Sequence, residues 1–197
     1  MRILFATGNA DKINEAAQIL QELGHSVEQL MSEAERIEFD EPKNLGLEGV
    51  ALSKIEQARA IIEGTESADC AILVEDSGIF LHAFDEWPGA NSSDVEQELG
   101  LDGILDLLTE EQDRGAEYRA VAVLALGERV WKTSGVCRGR ISAEKLGDNG
   151  FGYDPIFIPD AGDGRTFGQM LAASKNLISH RRAAMQALAE LLKTPSK

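Results

Sequence analysis

Cysteine is scarce in this chain: Cys70 and Cys137 are the only two in 197 residues, far apart and without metal-ligand spacing. That argues against a disulfide framework and a thiolate metal site, and both thiols read as free and buried. Basic charge is also short, with 19 Lys and Arg against 34 Asp and Glu and a formal net charge of -15. A surface of that sign repels nucleic-acid backbones and anionic membranes, so neither is an expected partner. A small phosphate-bearing ligand stays compatible, provided that basic groups and helix N-termini converge locally. No apolar run approaches the roughly 20 residues that span a bilayer. Met1-Arg2 leads straight into a strand-like stretch without a signal-peptide cleavage pattern. A cytoplasmic location is the expectation. Repeats, low-complexity tracts and Pro/Ser-rich linkers are missing too, so residues 1–197 read as one domain.

What the chain does have is 43% hydrophobic residues, ample for a core. Arg2 to Ala6 is a short apolar run, and Ile13, Ala16, Ala17 and Leu20 then repeat at helical spacing up to Leu23-Gly24. A weaker strand over His25 to Met31 precedes a second helical face, Leu47 to Ile62, closing near Gly64. The run Ala71 to Glu75 reads as a buried strand that breaks at Ser77-Gly78, followed by Ile79 to Phe84. Ser93 and Glu96 have the form of a capping box opening a helix interrupted at Gly100 and Gly103. Tyr118 to Leu126 and Arg129 to Arg138 predict an antiparallel hairpin, Gly139 to Gly152 a loop, and Pro155 to Pro159 a short edge strand. A last helix carries Ala183 to Leu192, and Thr194 to Lys197 read as a frayed tail. Strand and helix alternate, which points to an α/β protein with a twisted, partly parallel sheet.

Three segments carry chemistry. In Val74-Glu75-Asp76-Ser77-Gly78, two adjacent acids end an apolar strand, an arrangement costly by repulsion unless a proton or a hard divalent cation neutralises it. Thr7-Gly8-Asn9 with Lys12 sits where a strand gives way to a helix, so free N–H groups and the positive helix end suit a phosphate. The plainer reading there is a turn capped by Asn9, with Lys12 paired on the surface to Glu15. Phe151-Gly152-Tyr153-Asp154 sets aromatic faces beside a carboxylate, suited to stacking a planar base and reading its edge; the plainer reading is a turn whose aromatics fill the core. Lys175 and His180-Arg181-Arg182 supply donors to carbonyl or phosphate oxygens, or else a solvated basic helix entrance. Glu38, in Arg36-Ile37-Glu38-Phe39-Asp40, is a further candidate ligand, or part of a solvated acidic loop with Asp40 and Glu41.

In this order, Thr-Gly-Asn-x-x-Lys, Glu-Asp-Ser-Gly, Phe-Gly-Tyr-Asp-Pro-x-Phe, Thr-Phe-x-x-Met, Lys-Asn and Ser-His-Arg, the chain resembles the inosine triphosphate pyrophosphatase family. The resemblance runs from Thr7 to Met185. It implies an elongated mixed twisted sheet flanked by helices, with two lobes and a central active-site cleft. It also implies a Mg²⁺-dependent homodimer that cleaves ITP, dITP and XTP to the monophosphate and pyrophosphate. By position, the resemblance makes Thr7, Gly8, Asn9, Ala10, Asp11 and Lys12 the phosphate loop, with Lys54 as a further phosphate contact. Asp76 becomes the catalytic base and a metal carboxylate, Ser77 its neighbour at the substrate, and Glu38 the second metal acid, with Glu75 as an alternative ligand. Phe151, Gly152, Tyr153, Asp154, Lys175, His180 and Arg181 become the base-recognition set. The chain has Gln169 where the family usually has Glu, and Ala90-Asn91-Ser92-Ser93 where an aromatic pair is common. Two rival readings are a pyrophosphatase for another modified nucleotide and a non-catalytic nucleotide sensor.

Overall fold

Alternation of short apolar runs with helical periodicity winds the first half of the chain as strand, helix, strand. In a computed structural model describing residues 1–32 and 35–193, with the backbone alone for residues 32, 35 and 36, these are β1 (Arg2–Phe5), α1 (Ala10–Glu22) and β2 (Ser26–Gln29). A small antiparallel pair follows, β3 (Met31–Ser32) with β4 (Glu35–Arg36), then α2 (Gly46–Ile62) and β5 (Ala71–Leu81). A short β6 (Trp87–Pro88) leads into α3 (Ser92–Leu107). The long hairpin β7 (Gly115–Leu126) and β8 (Arg129–Ile141) comes next, then β9 (Phe157–Pro159), α4 (Ala172–Ile178) and α5 (His180–Lys193).

The main sheet runs β2-β1-β5-β7-β8-β9, with β6 pairing β5. β1 is parallel to β2 and β5, in register Ile3 to Val27 and Leu4 to Ile72. The other pairings are antiparallel, as when Asp76 faces Val121 and Gly78 faces Arg119. This is the mixed α/β sheet flanked by helices that the motif resemblance implies.

Three buried clusters organise it. One face of the β1 half holds Ile3, Phe5, Leu73 and Leu124 against α1 and Leu188 of α5. The opposite face holds Leu4, Ile72, Val74 and Val123 against Ala51, Ile55 and Ala58 of α2. At the far end Ile79, Leu81, Tyr118, Ile141, Phe157 and Phe167 pack with Val95 and Ile104 of α3. β5 and β7 thus pass from one pair of cores into the third, and the groove lies at the crossing.

Several expectations need correction. β5 does not break at Ser77-Gly78 but continues to Leu81. The glycine answers a close approach, since a β-carbon there would stand 2.0 Å from the Gly89 carbonyl oxygen. Ser93 and Glu96 form no capping box; α3 begins at Ser92, and Asn91 caps it with no side-chain bond. Only Gly100 departs from helical geometry within α3 (φ 64°, ψ 175°), so Gly103 interrupts nothing. The segment taken as loop from Gly139 begins as strand, pairing Gly139 with Pro159. Cys70 is half-buried whereas Cys137 is buried, its thiol pushed up to about 12 by desolvation first and by Asp160 second. The expected frayed tail lies outside the described residues. Gln169, in place of the family's usual Glu, completes a capping box with Thr166 by accepting from its N–H at 3.0 Å.

Candidate active site

The loop between β1 and α1 is fixed by its own side chains. Asn9 caps α1, its Oδ1 accepting from the N–H groups of Asp11 (2.9 Å) and Lys12 (3.1 Å), and Thr7 Oγ1 accepts from Asn9 N–H at 3.2 Å. Gln29 Nε2 donates to the Thr7 carbonyl at 3.0 Å, tying the loop to β2. Thr7, Gly8, Asn9 and Lys12 line a cleft of ≈ 520 Å³ beside the helix N-terminus. Ala10 and Asp11 are exposed in the first turn of α1 and do not line it. Lys12 does not pair with Glu15. Its Nζ reaches Glu75 Oε2 at 3.0 Å, while Glu15 turns inward to other partners.

Strand alternation separates the two neighbouring acids. Asp76 faces α2 and the cleft, with Lys54 Nζ 3.4 Å from Oδ1 and itself ion-paired to Glu41. Burial pushes the Asp76 carboxyl up, against the pull of Lys12 and Lys54. Glu75 points to the other face, fully enclosed, 3.1 Å from Arg181 Nη2, and does not line the cleft. Burial raises its pKa, but Arg181, Lys12 and His180 outweigh that and hold it at about 2. Glu38 and Glu41 also line the cleft, Glu38 from an exposed position. These acids offer only carboxylate oxygens, and no imidazole or thiolate lines the cleft among the described residues. That donor set fits a hard divalent cation such as Mg²⁺. No group of three or more His, Cys, Asp or Glu among the described residues is placed to hold a metal unaided. Magnesium commonly completes its shell with water and substrate phosphate.

The opposite end of the cleft is aromatic. Tyr118, Phe151, Gly152 and Tyr153 line it with Glu96, whose carboxyl is pushed up by burial and by Asp154. Tyr153 is buried and donates from its hydroxyl to the Ser92 carbonyl at 2.9 Å. Asp154 Oδ2 accepts from Phe151 N–H at 2.9 Å and pairs with Lys175 Nζ at 2.6 Å; burial raises its pKa while Lys175 opposes the shift.

Lys175 also reaches Glu15 at 2.7 Å, and Glu15 pairs with Arg181. Asp154, Lys175, Glu15, Arg181, Glu75 and Lys12 therefore form one chain of alternating sign, running from the aromatic end to the first turn of α1. It lies behind Phe151, whose ring covers Lys175 Nζ at 4.7 Å and Arg181 Cζ at 5.8 Å. Gly135 of β8 lets α5 come this close, since a β-carbon there would meet the His180 carbonyl oxygen at 2.1 Å. Ser179 Oγ accepts from Arg182 N–H at 3.1 Å and caps the helix, directing Arg181 under β5 to Ser77 Oγ at 3.2 Å. His180 stacks on Tyr118 at 4.6 Å and 8°, its pKa driven well below the usual imidazole value by burial first and Arg181 second.

The fold thus brings Thr7, Gly8, Asn9, Lys12, Lys54 and Asp76 to one cleft with Ser77, Glu38, Phe151, Gly152 and Tyr153. Asp154, Lys175, His180 and Arg181 are packed behind its wall. Sequence reading missed Tyr118 and Glu96 as cleft residues, took Glu41 for a solvated acid and assigned Glu15 to the surface. Only the apolar spacing of β7 and the helical phase of α3 and α1 could have hinted at them. Another cavity, of ≈ 510 Å³ between the end of α2 and the β7–β8 turn, gathers neither loop amides nor aromatics.

Fold and cleft together define an α/β protein built to take a ligand with an anionic end and a planar end. The Ham1 family pattern matches residues 3–191, and the chain belongs to that family. A Pyrococcus horikoshii protein named dITP/XTP pyrophosphatase is 36% identical over the full length of both chains. A protein of the same name from Methanopyrus kandleri is 40% identical, over 98% of this chain and 97% of its own. Among solved structures, the Staphylococcus aureus Ham1 protein superposes with a TM-score of 0.79 at 27% identity, covering 98% of each chain. A HAM1 protein from Coxiella burnetii gives 0.77 at 26%, again covering 98% of each.

Proposed function

We propose that this protein hydrolyses the noncanonical purine nucleoside triphosphates ITP, dITP and XTP to the monophosphate and pyrophosphate, removing them from the nucleotide pool. The observation that carries this reading is the cleft itself, which joins a capped helix N-terminus and two lysines at one end to the rings of Tyr118, Phe151 and Tyr153 at the other. Relatives named dITP/XTP pyrophosphatase that match over the full length, such as those described above, support it.

Asp76 is placed to accept a proton from an attacking water, because its carboxylate faces the cleft and burial raises its basicity. Lys54, 3.4 Å away, orients that carboxylate, and with Lys12 and the Thr7 to Lys12 loop it holds the phosphates. Asp76 and Glu38 would hold Mg²⁺, with Glu41 adjacent; the ion supplies neutralisation of phosphate charge. Glu75, locked to Arg181 and Lys12 on the other face, serves the architecture and is no ligand.

Phe151 and Tyr153 flank the base. Asp154, Lys175, His180 and Arg181 read its edge when the Phe151 ring moves aside. His180 Nδ1 and Arg181 Nε are buried without hydrogen-bond partners among the described residues, which leaves donor and acceptor capacity unspent there. A 6-keto purine offers an acceptor to these donors and an N1–H to Asp154, whereas adenine reverses both. A site built on such bonds rejects the mismatched base by as much as about 10⁴- to 10⁵-fold.

We extend the reading to a cytoplasmic homodimer with one 1–197 domain per subunit, which sedimentation of the purified chain tests. Phosphorus NMR of the reaction with Mg²⁺ tests the chemistry. Pyrophosphate and monophosphate are the expected first products. Orthophosphate with the diphosphate would reject attack at the α-phosphorus, and binding without turnover would make the protein a nucleotide sensor.

A further inference from the structure

The first turn of α3 is clamped. Ser92 Oγ accepts from Ile79 N–H at 2.8 Å and donates to the Gly89 carbonyl at 2.6 Å, while the Ser92 carbonyl receives the Tyr153 hydroxyl. Glu96 stands four residues on, one turn along the same helix face. This projects its carboxylate into the aromatic end of the cleft, where Oε2 stands 3.7 Å from the β-carbon position of Gly152 and Tyr118 Oη stands 3.9 Å from it.

Among the described residues Glu96 is in none of the ion pairs around the cleft, and the cations that line the cleft are Lys12 and Lys54, both at the phosphate end. Lys175 and Arg181 are balanced by Asp154, Glu15 and Glu75, so they bring no net positive charge to the base even where they meet its edge. In its ionised form Glu96 therefore sets a negative charge, balanced by no cation lining the cleft beside it among the described residues, next to the space where a planar base stacks. That charge distinguishes two bases that the keto-reading groups treat alike: xanthine loses a ring N–H proton near neutral pH and becomes an anion, whereas hypoxanthine stays neutral.

Resting on the function proposed above, we infer that Glu96 is a specificity-determining residue that favours neutral hypoxanthine nucleotides over xanthine nucleotides. Two like charges across a half-solvated cleft give an effect of about tenfold. It acts on binding and falls mainly on KM.

The test compares kcat/KM for ITP, dITP and XTP at pH 8 in the wild type and Glu96→Gln, a substitution that breaks no ion pair or hydrogen bond found among the described residues. The wild type is expected to prefer ITP to XTP. The variant should raise the XTP to ITP ratio about tenfold, through a lower KM for XTP, with the ITP to dITP ratio unchanged. An unchanged XTP to ITP ratio overturns the inference. So does a shift in the ITP to dITP ratio alone, which would set Glu96 against the sugar. A wild type inactive on all three sinks the function instead, and calorimetric binding of IMP and XMP to both proteins still decides the role of Glu96: equal discrimination in the two would overturn it.

Discussion

Glu75 and Asp76 are adjacent in sequence, yet their carboxylates work on opposite sides of the sheet: Glu75 is sealed against Arg181 and Lys12, while Asp76 faces the cleft beside Lys54. The strand's two-residue period buries one acid in an ion-pair network and turns the other toward the cleft.

Replacing Asp76 by Asn keeps the shape of the side chain and removes the base. Turnover should fall by roughly 10²- to 10⁴-fold while thermal unfolding stays close to wild type. Steady-state kinetics beside a melting curve check both halves, and near-normal turnover would end the assignment.

Arg181→Ala leaves Glu15 and Glu75 buried without their guanidinium. Breaking a buried pair in this way costs about 3–5 kcal/mol, so the first symptom should be lost stability in urea titration and only then altered base preference. Unfolding energetics equal to wild type would mean that the two acids find other partners.

His180 links stability to pH. The unfolded imidazole takes up a proton below about its ordinary 6.5 whereas the buried one does not, so stability is present above that value and is lost as pH falls below it. The slope contributed is on the order of 1 kcal/mol per pH unit. Urea denaturation at pH 7, 6 and 5 should show a steeper decline in the wild type than in His180→Phe. Parallel declines would contradict the burial of a neutral ring.

Gly78→Ala would force a β-carbon to within 2.0 Å of the Gly89 carbonyl oxygen and 2.8 Å of Ser92 Oγ. Overpacking of this kind costs about 1–3 kcal/mol, and because the clamp on α3 must shift, nucleotide affinity should weaken as well. Differential scanning calorimetry and a binding isotherm measure the two effects; an unaffected variant would show that the β5 to α3 contact is loose.

Periodicity made the helices and the β7–β8 hairpin legible, because their apolar spacing needs no knowledge of partners. The capped turn between β1 and α1 was equally readable, since Asn9 caps α1 through bonds two and three residues away. The sidedness of Glu75 and Asp76 was not, since it depends on which helix covers which face of β5. Lys12 and Glu15, three residues apart on α1, looked like a local pair, yet each is claimed by a residue more than sixty positions away. Glu96 resembled a capping residue because Ser93 precedes it by three; the clamp on Ser92 is made by strand β5 and Tyr153, which no local pattern reveals. Gly78 announced a break for the same reason: sequence shows that a side chain is missing but not what fills its place.

The crossing of β5 and β7 between the cores also governs how the cleft can move. Asp76 to Gly78 and Arg119 to Val121 sit midway along two hydrogen-bonded strands whose ends are packed into separate hydrophobic clusters. No loop joins the two ends at that point to act as a free hinge. Narrowing the groove around a ligand must twist the ladder itself, so the sheet works as a torsion spring, and its stiffness sets how tightly the walls can grip.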